Sequence, residues 1–186
     1  MSEYRRPKVA GARVFFTVTL AQRGSFLLVD EIVRLREAVR VTKAERPFEI
    51  DAFVVLPDHL HCVWTLPPGD ADFSTRWGAI KARFTRSLRD GCRVGFHPTK
   101  AKKMGHAVGW NPTLRRSESK MRKGDAGIWQ RRFWEHHIRD EADYWAHVRY
   151  CWMNPVKHGF VSQPEAWRYS SVHRDTRFQA DMDLMM

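Results

Sequence analysis

Two β-branched, apolar segments, 48–56 and 59–66, are separated by only Pro57 and Asp58. Parallel strands need a crossover of a dozen or more residues, so a connection this short permits only antiparallel neighbours. Whatever else the chain builds must accommodate this hairpin. Proline also ends the ladder on one side, because it has no backbone N–H to donate.

The rest of the pattern supplies partners for the hairpin. Residues 13–20 (Arg-Val-Phe-Phe-Thr-Val-Thr-Leu) read as a strand between turn-forming Gly11 and Gly24. Asp30 is a suitable N-cap for a helix over 31–44. A second helix over 75–89 carries Trp77, Ile80, Phe84 and Leu88 at helical spacing. Residues 127–138, rich in aromatics and arginine, predict a fourth strand. Asp140, with Asp143 three residues on, opens a last helix that is expected to stop before Pro155. The first six elements therefore follow a βαββαβ order. The expected fold is an α+β, ferredoxin-like sandwich: an antiparallel sheet with helices on one face, plus a C-terminal helix. The other face is left for a ligand or partner. The length of 186 residues fits one domain over 1–175, with a flexible tail at 176–186.

Charge divides the chain unevenly. The formal net charge is +11, from 32 Lys+Arg against 21 Asp+Glu. Of this, +8 lies between residues 92 and 123, which hold nine Lys/Arg and only Glu118 as an acid. The segment 92–127 reads as a long basic loop inserted before the fourth strand. A balanced body with one strongly basic segment points to a polyanionic partner. No apolar run approaches the roughly 18 residues needed to span a bilayer, and no h-region follows the N-terminal arginines. Three cysteines without a CxxC argue against a zinc ribbon and fit a reducing, cytoplasmic setting.

Two short motifs carry chemistry. In Pro57-Asp58-His59-Leu60-His61-Cys62 the two histidines are i and i+2 on a strand, so they share one face while Leu60 points to the other. Two imidazoles on one face can hold a divalent cation together. In Tyr150-Cys151-Trp152-Met153-Asn154-Pro155-Val156-Lys157-His158-Gly159, Tyr150 and Asn154 are one helical turn apart. A tyrosine oxygen can attack phosphorus covalently. An asparagine carbonyl is a hard ligand suited to Mg²⁺ or Mn²⁺. Structural roles stand beside each of these readings: a packed strand histidine, a helix aromatic, a C-terminal helix residue.

The two motifs, their order and the element pattern together resemble the REP-associated tyrosine transposases of bacteria. The resemblance rests on Leu56-Pro57-Asp58-His59-Leu60-His61-Cys62, on Arg132-Phe133-Trp134-Glu135-His136 and on Asn154-Pro155-Val156-Lys157-His158-Gly159. It runs through nearly the whole chain. It implies a divalent metal (Mg²⁺ or Mn²⁺) on His59, His61 and Asn154, and Tyr150 as the nucleophile. Tyr144 is the rival, but it lies about 240° around the helix from Tyr150 and lacks the i+4 asparagine. The implied substrate is single-stranded DNA beside a hairpin resembling a repetitive extragenic palindrome, handled by a monomer or a dimer. Tyr150 would attack in line and expel a 3′-hydroxyl, leaving a 5′-phosphotyrosine. Attack by another 3′-hydroxyl would rejoin the strand, so strand transfer needs no nucleotide cofactor.

Candidate DNA-contacting residues are Tyr4, Arg5 and Arg6 at the N-terminus, and Lys100, Lys102, Lys103, Arg115, Arg116, Lys120, Arg122 and Lys123 in the basic segment. Arg131, Arg132 and Lys157 complete the set. The competing expectation is a non-catalytic single-stranded nucleic-acid binder. It would use an open sheet in the manner of RNA-recognition modules, although the RNP1 pattern is absent.

Overall fold

The structure is a computed structural model that describes residues 7–93 and 127–176. Four strands form one antiparallel sheet: β1 (Arg13–Thr19), β2 (Glu49–Val55), β3 (His59–Thr65) and β4 (Trp134–His137), in the order β2-β3-β1-β4. This is the order of a split βαβ unit, with β3 inserted between β1 and β2. Two helices cross between strands, α2 (Ile32–Glu45) and α3 (Phe73–Arg93), and a single turn, α1 (Leu27–Asp30), precedes α2. The last helix is α4 (Glu141–Lys157).

The period of two along each strand sorts side chains into two cores. Val14, Phe16 and Val18 of β1, with Leu60, Cys62 and Trp64 of β3, face α2 and α3 and bury Trp77, Ile80 and Phe84 of α3. The Trp64 and Trp77 rings stack there at 4.4 Å. Phe15 of β1, Val63 of β3, and Ala52 and Val54 of β2 face the other way and pack on Tyr144, Val148, Cys151 and Trp152 of α4. Helices thus lie on both faces, and the face expected to be open is roofed by α4, which packs on β2 and β3. A sheet roofed in this way does not offer the bare stacking surface that an RNA-recognition module requires.

Two elements differ from the sequence expectation. The fourth strand is four residues long rather than 127–138: Trp129 makes only an isolated bridge to Leu20, and the chain rejoins the ladder at Trp134. The last helix continues through Pro155 to Lys157. A proline removes the hydrogen bond to the carbonyl four residues back. Here it sits in the final turn, so at most one such bond is lost, and the end is closed independently. His158 N–H donates to Asn154 O, and Gly159 N–H to Val156 O, with Gly159 in the left-handed region at φ 70°. At the other end Asp140 caps the helix by accepting from Asp143 N–H at 2.8 Å. The Asp143 carboxylate does not complete a capping box. It turns instead to Arg139 N–H and to two histidines.

The β2 edge is covered by the segment after α4: Tyr169 O accepts from Val55 N–H, and Ser171 Oγ from Phe53 N–H. Covering an edge in this way prevents strand addition. No helix among the described residues is long and apolar enough to cross a membrane.

Candidate active site

The Pro57-Asp58 turn does more than reverse the chain. Asp58 is buried, and its Oδ2 accepts from Gly24 N–H at 2.7 Å, with Arg23 3.4 Å away. Its Oδ1 lies 2.6 Å from His59 Nδ1. Burial opposes ionisation of Asp58. The hydrogen bonds from His59 and Gly24, and the charges of His59 and Arg23, outweigh it and hold the carboxyl below its usual range. On the next same-face position, His61 Nδ1 lies 2.8 Å from Thr17 Oγ1 across the β1–β3 ladder. With Nδ1 as donor in both rings, each Nε2 keeps its lone pair. This is the orientation in which an oxygen bonded to the other ring nitrogen commonly holds a ligating histidine.

The two rings lie 5.0 Å apart and both side chains are buried. Burial, first of all, keeps both histidines neutral: the His59 pKa falls below its ordinary value and that of His61 falls to about 3. The neighbouring His158 pushes in the same direction, as does Lys157 for His61. Neutral imidazoles are the form that binds a metal.

Helix α4 crosses above the pair in the same chain. Tyr150 meets His61 edge-on at 5.1 Å between ring centroids, and His158 meets His59 at 5.3 Å. Asn154 lies between these two on the same face of the helix, and so above the histidines. It is 1% exposed, and neither its Oδ1 nor its Nδ2 finds a hydrogen-bond partner among the described residues. His61 Nε2 is likewise buried and unpartnered. Orphaned buried polar atoms of this kind cost about 1–3 kcal/mol each. Two neutral imidazoles and an amide oxygen, with unsatisfied atoms on two of the three residues, fit a divalent cation.

Tyr150 is 38% exposed, whereas Tyr144 is 3% exposed and lies under the Arg13 guanidinium, 4.6 Å from it, packed in the core. The structure therefore brings His59, His61, Asn154 and Tyr150 together and leaves Tyr144 apart. Lys157 Nζ stands 5.3 Å from the centre of the Tyr150 ring. Arg131 and Arg132 are exposed on the approach to β4. Tyr4, Arg5, Arg6, Lys100, Lys102, Lys103, Arg115, Arg116, Lys120, Arg122 and Lys123 lie outside the described residues, as does nearly all of the 92–127 segment.

Two features went unnoticed in the sequence. A second group of donors, His136, Asp143 and His147, has its ligand atoms within 4.8 Å of one another, close enough to share a metal ion. These atoms already serve each other: Asp143 Oδ2 lies 2.8 Å from His136 Nε2, and His147 Nδ1 lies 2.8 Å from Asp143 O. Burial opposes ionisation of Asp143, but bonds from His136 and Arg139 bring its pKa down to about 2. The other feature is a cleft of about 410 Å³ between α3 and residues 129–131, lined by Lys81, Arg86, Arg89 and Arg131 and by no acid. Arg86 and Arg89 are exposed, with no carboxylate partner among the described residues, while Arg76 and Arg83 of the same helix pair with Asp70 and Glu45. The signal was present in the helical spacing of Lys81, Thr85 and Arg89, a polar stripe alongside that of Trp77, Phe84 and Leu88.

A sheet of this order, with a histidine pair on a central strand and a tyrosine helix across it, fits a transposase domain of the histidine–hydrophobic–histidine class. Comparison with known proteins specifies the family. The chain is 45% identical over 175 residues to the REP-associated tyrosine transposase of Escherichia coli, a match that covers 94% of this chain and 85% of that protein. A Haemophilus influenzae protein assigned to the same family is 39% identical over 177 residues, covering 95% and 89%. A solved structure of a REP-associated tyrosine transposase bound to a REP hairpin superimposes with a TM-score of 0.72 at 44% identity, covering 95% of this chain and 86% of that one. No family model matches the chain. The chain belongs to the REP-associated tyrosine transposases.

Proposed function

We propose that this transposase cuts and rejoins single-stranded DNA beside a hairpin, through a covalent bond between Tyr150 and a 5′-phosphate. The observation that carries the reading is the convergence of Tyr150, Asn154 and the His59–His61 pair on one patch of the sheet, with buried polar atoms left unsatisfied. Tyr150 Oη gives up its proton and forms the new bond to phosphorus, the P–O3′ bond breaks, and the released 3′-oxygen takes up a proton. Tyr150 is exposed enough to meet a backbone phosphate, and its ring is held against His61 and Phe15. Lys157 offers a cation to the phosphate oxygens beside the attacking phenol. His59, His61 and Asn154 would hold the divalent metal, whose contribution when bound is to polarise a non-bridging phosphate oxygen. Asp58 and Thr17 fix the imidazoles so that neither ring must reorient when the site is used.

The REP hairpin bound in the related complex suggests the substrate class for this chain, and the basic cleft would supply a landing surface for its phosphates. Replacing Arg86 and Arg89 together by alanine is expected to weaken binding of a hairpin oligonucleotide. It should also reduce the magnitude of the slope of log K against log salt by about 1.4–1.8, since each lost phosphate contact removes about 0.7–0.9. Titration at several salt concentrations checks this.

Asn154 provides a separate test. If its buried amide is kept for a ligand, Asn154→Leu removes the unsatisfied polar atoms while keeping the same branched side-chain skeleton. The variant should unfold at an equal or higher temperature than the parent while losing most strand cleavage. Thermal denaturation and a cleavage assay read the two effects. The central test is the adduct itself: after incubation with a labelled hairpin strand, tryptic peptide mass spectrometry should find the nucleotide on Tyr150.

A further inference from the structure

Trp134 is the one exposed tryptophan among the described residues, at 55%. It opens β4 and stands opposite Thr17, which in turn stands opposite His61. Trp134, Thr17 and His61 thus form one row across the sheet, with all three side chains on the face that carries the histidine pair. At about 4.8 Å per strand the indole starts some 10 Å from His61, within reach of a nucleotide next to one held at Tyr150.

The indole is also held in place before any ligand arrives. Its ring is parallel to that of His136 within 8°, at 6.0 Å, and His136 is parallel to His147 within 17°, at 4.6 Å. Both histidines are tied to Asp143, which is itself bound to Arg139 N–H at the start of α4. Phe15 meets the Trp134 ring and the Tyr150 ring edge-on, each at 5.7 Å, so the two share a wall. Arg131 and Arg132, both exposed, precede the indole in the chain. A rigid, half-exposed aromatic plane beside the proposed nucleophile, flanked by cations, is the arrangement that receives an unpaired base.

We propose that Trp134 is a positioning residue that stacks one unpaired base adjacent to the scissile phosphate. This rests on the single-stranded DNA reading above. Every base has a π-face, so the platform orders the strand without reading its sequence. The ordered base sets which phosphodiester arrives at Tyr150.

The test uses the full chain and a hairpin oligonucleotide with a single-stranded flank. In the uncleaving Tyr150→Phe background, Trp134→Ala should weaken binding about 5- to 150-fold, and Trp134→Phe should restore most of it. A series of oligonucleotides with an abasic site at each flanking position then locates the base. At one position the abasic strand should reproduce the loss of Trp134→Ala, with no further loss when the two are combined. A 2-aminopurine at that position should be quenched by the parent and not by Trp134→Ala. With Tyr150 intact, Trp134→Ala should also spread cleavage over neighbouring phosphodiesters. Equal binding and cleavage by Trp134→Ala and the parent would overturn the proposal, as would losses that add at every abasic position. A parent that neither binds nor cuts the hairpin strand would instead overturn the DNA reading, and the stacking role with it.

Discussion

Tyr150→Phe is expected to abolish strand cleavage and covalent adduct formation while hairpin binding stays within about threefold. The substitution deletes one oxygen at a position that is 38% exposed. The edge-on contacts of the ring with His61 and Phe15 involve carbon atoms that phenylalanine retains. Fold and affinity should therefore survive, and the only loss is the atom proposed to bond to phosphorus. Without that oxygen no side chain among the described residues replaces it at the same place, since Tyr144 is buried beneath Arg13 on another face of α4. Denaturing gel electrophoresis of a labelled strand, alongside a binding titration, reads both quantities. Cleavage by Tyr150→Phe at the parental rate would remove the tyrosine from the mechanism. Residual cleavage with an adduct on Tyr144 would move the nucleophile.

The second large effect concerns the histidines. Replacing His61 by alanine, or treating the protein with a chelator, is expected to lower cleavage by about 10²- to 10⁴-fold, the range that several kcal/mol of lost charge stabilisation implies. The two treatments should not add, because both remove the same contribution. Binding should change little, since the cations of the cleft lie apart from the pair. His61 is buried and neutral, with its Nδ1 on Thr17. A His61→Asn variant keeps a polar group toward Thr17 and separates loss of the ligand from loss of packing. Full activity of the chelated parent would eliminate the metal from the reaction and leave the unsatisfied Asn154 amide without an explanation.

Much of this arrangement was legible in the sequence because it depends on local periods. The two-residue gap between 56 and 59 forced the hairpin, and the i, i+2 spacing put both imidazoles on one face. The i, i+4 spacing aligned Tyr150 with Asn154. Local rules misled where tertiary contacts override them. Proline was expected to end the last helix, but it lies in the final turn, where the missing donor costs little and Gly159 closes the end. The stretch 127–138 has strand composition throughout, yet its first half leaves the ladder after one bridge at Trp129. Residue type alone does not reveal which of several aromatics will be buried: Trp64 and Trp77 stack in the core, while Trp134 stands in solvent. The anchoring roles of Thr17 and Asp58 were invisible for a related reason. Thr17 meets His61 only through strand pairing across 44 residues, and Asp58 reads as a turn residue until Gly24 folds back onto it.

The single ring of Phe15 meets His61, Tyr150, His147 and Trp134 at once. The histidine pair, the tyrosine and the exposed indole therefore lean on a single side chain of β1. Substitutions at these sites are neighbours through that ring even where they do not touch, and neighbouring substitutions do not combine independently. A lineage that alters its strand contacts at Trp134 must do so within the shape Phe15 allows, or change both together. If Tyr150 and Trp134 act as proposed, bond making and the choice of phosphodiester are coupled through the one ring of Phe15.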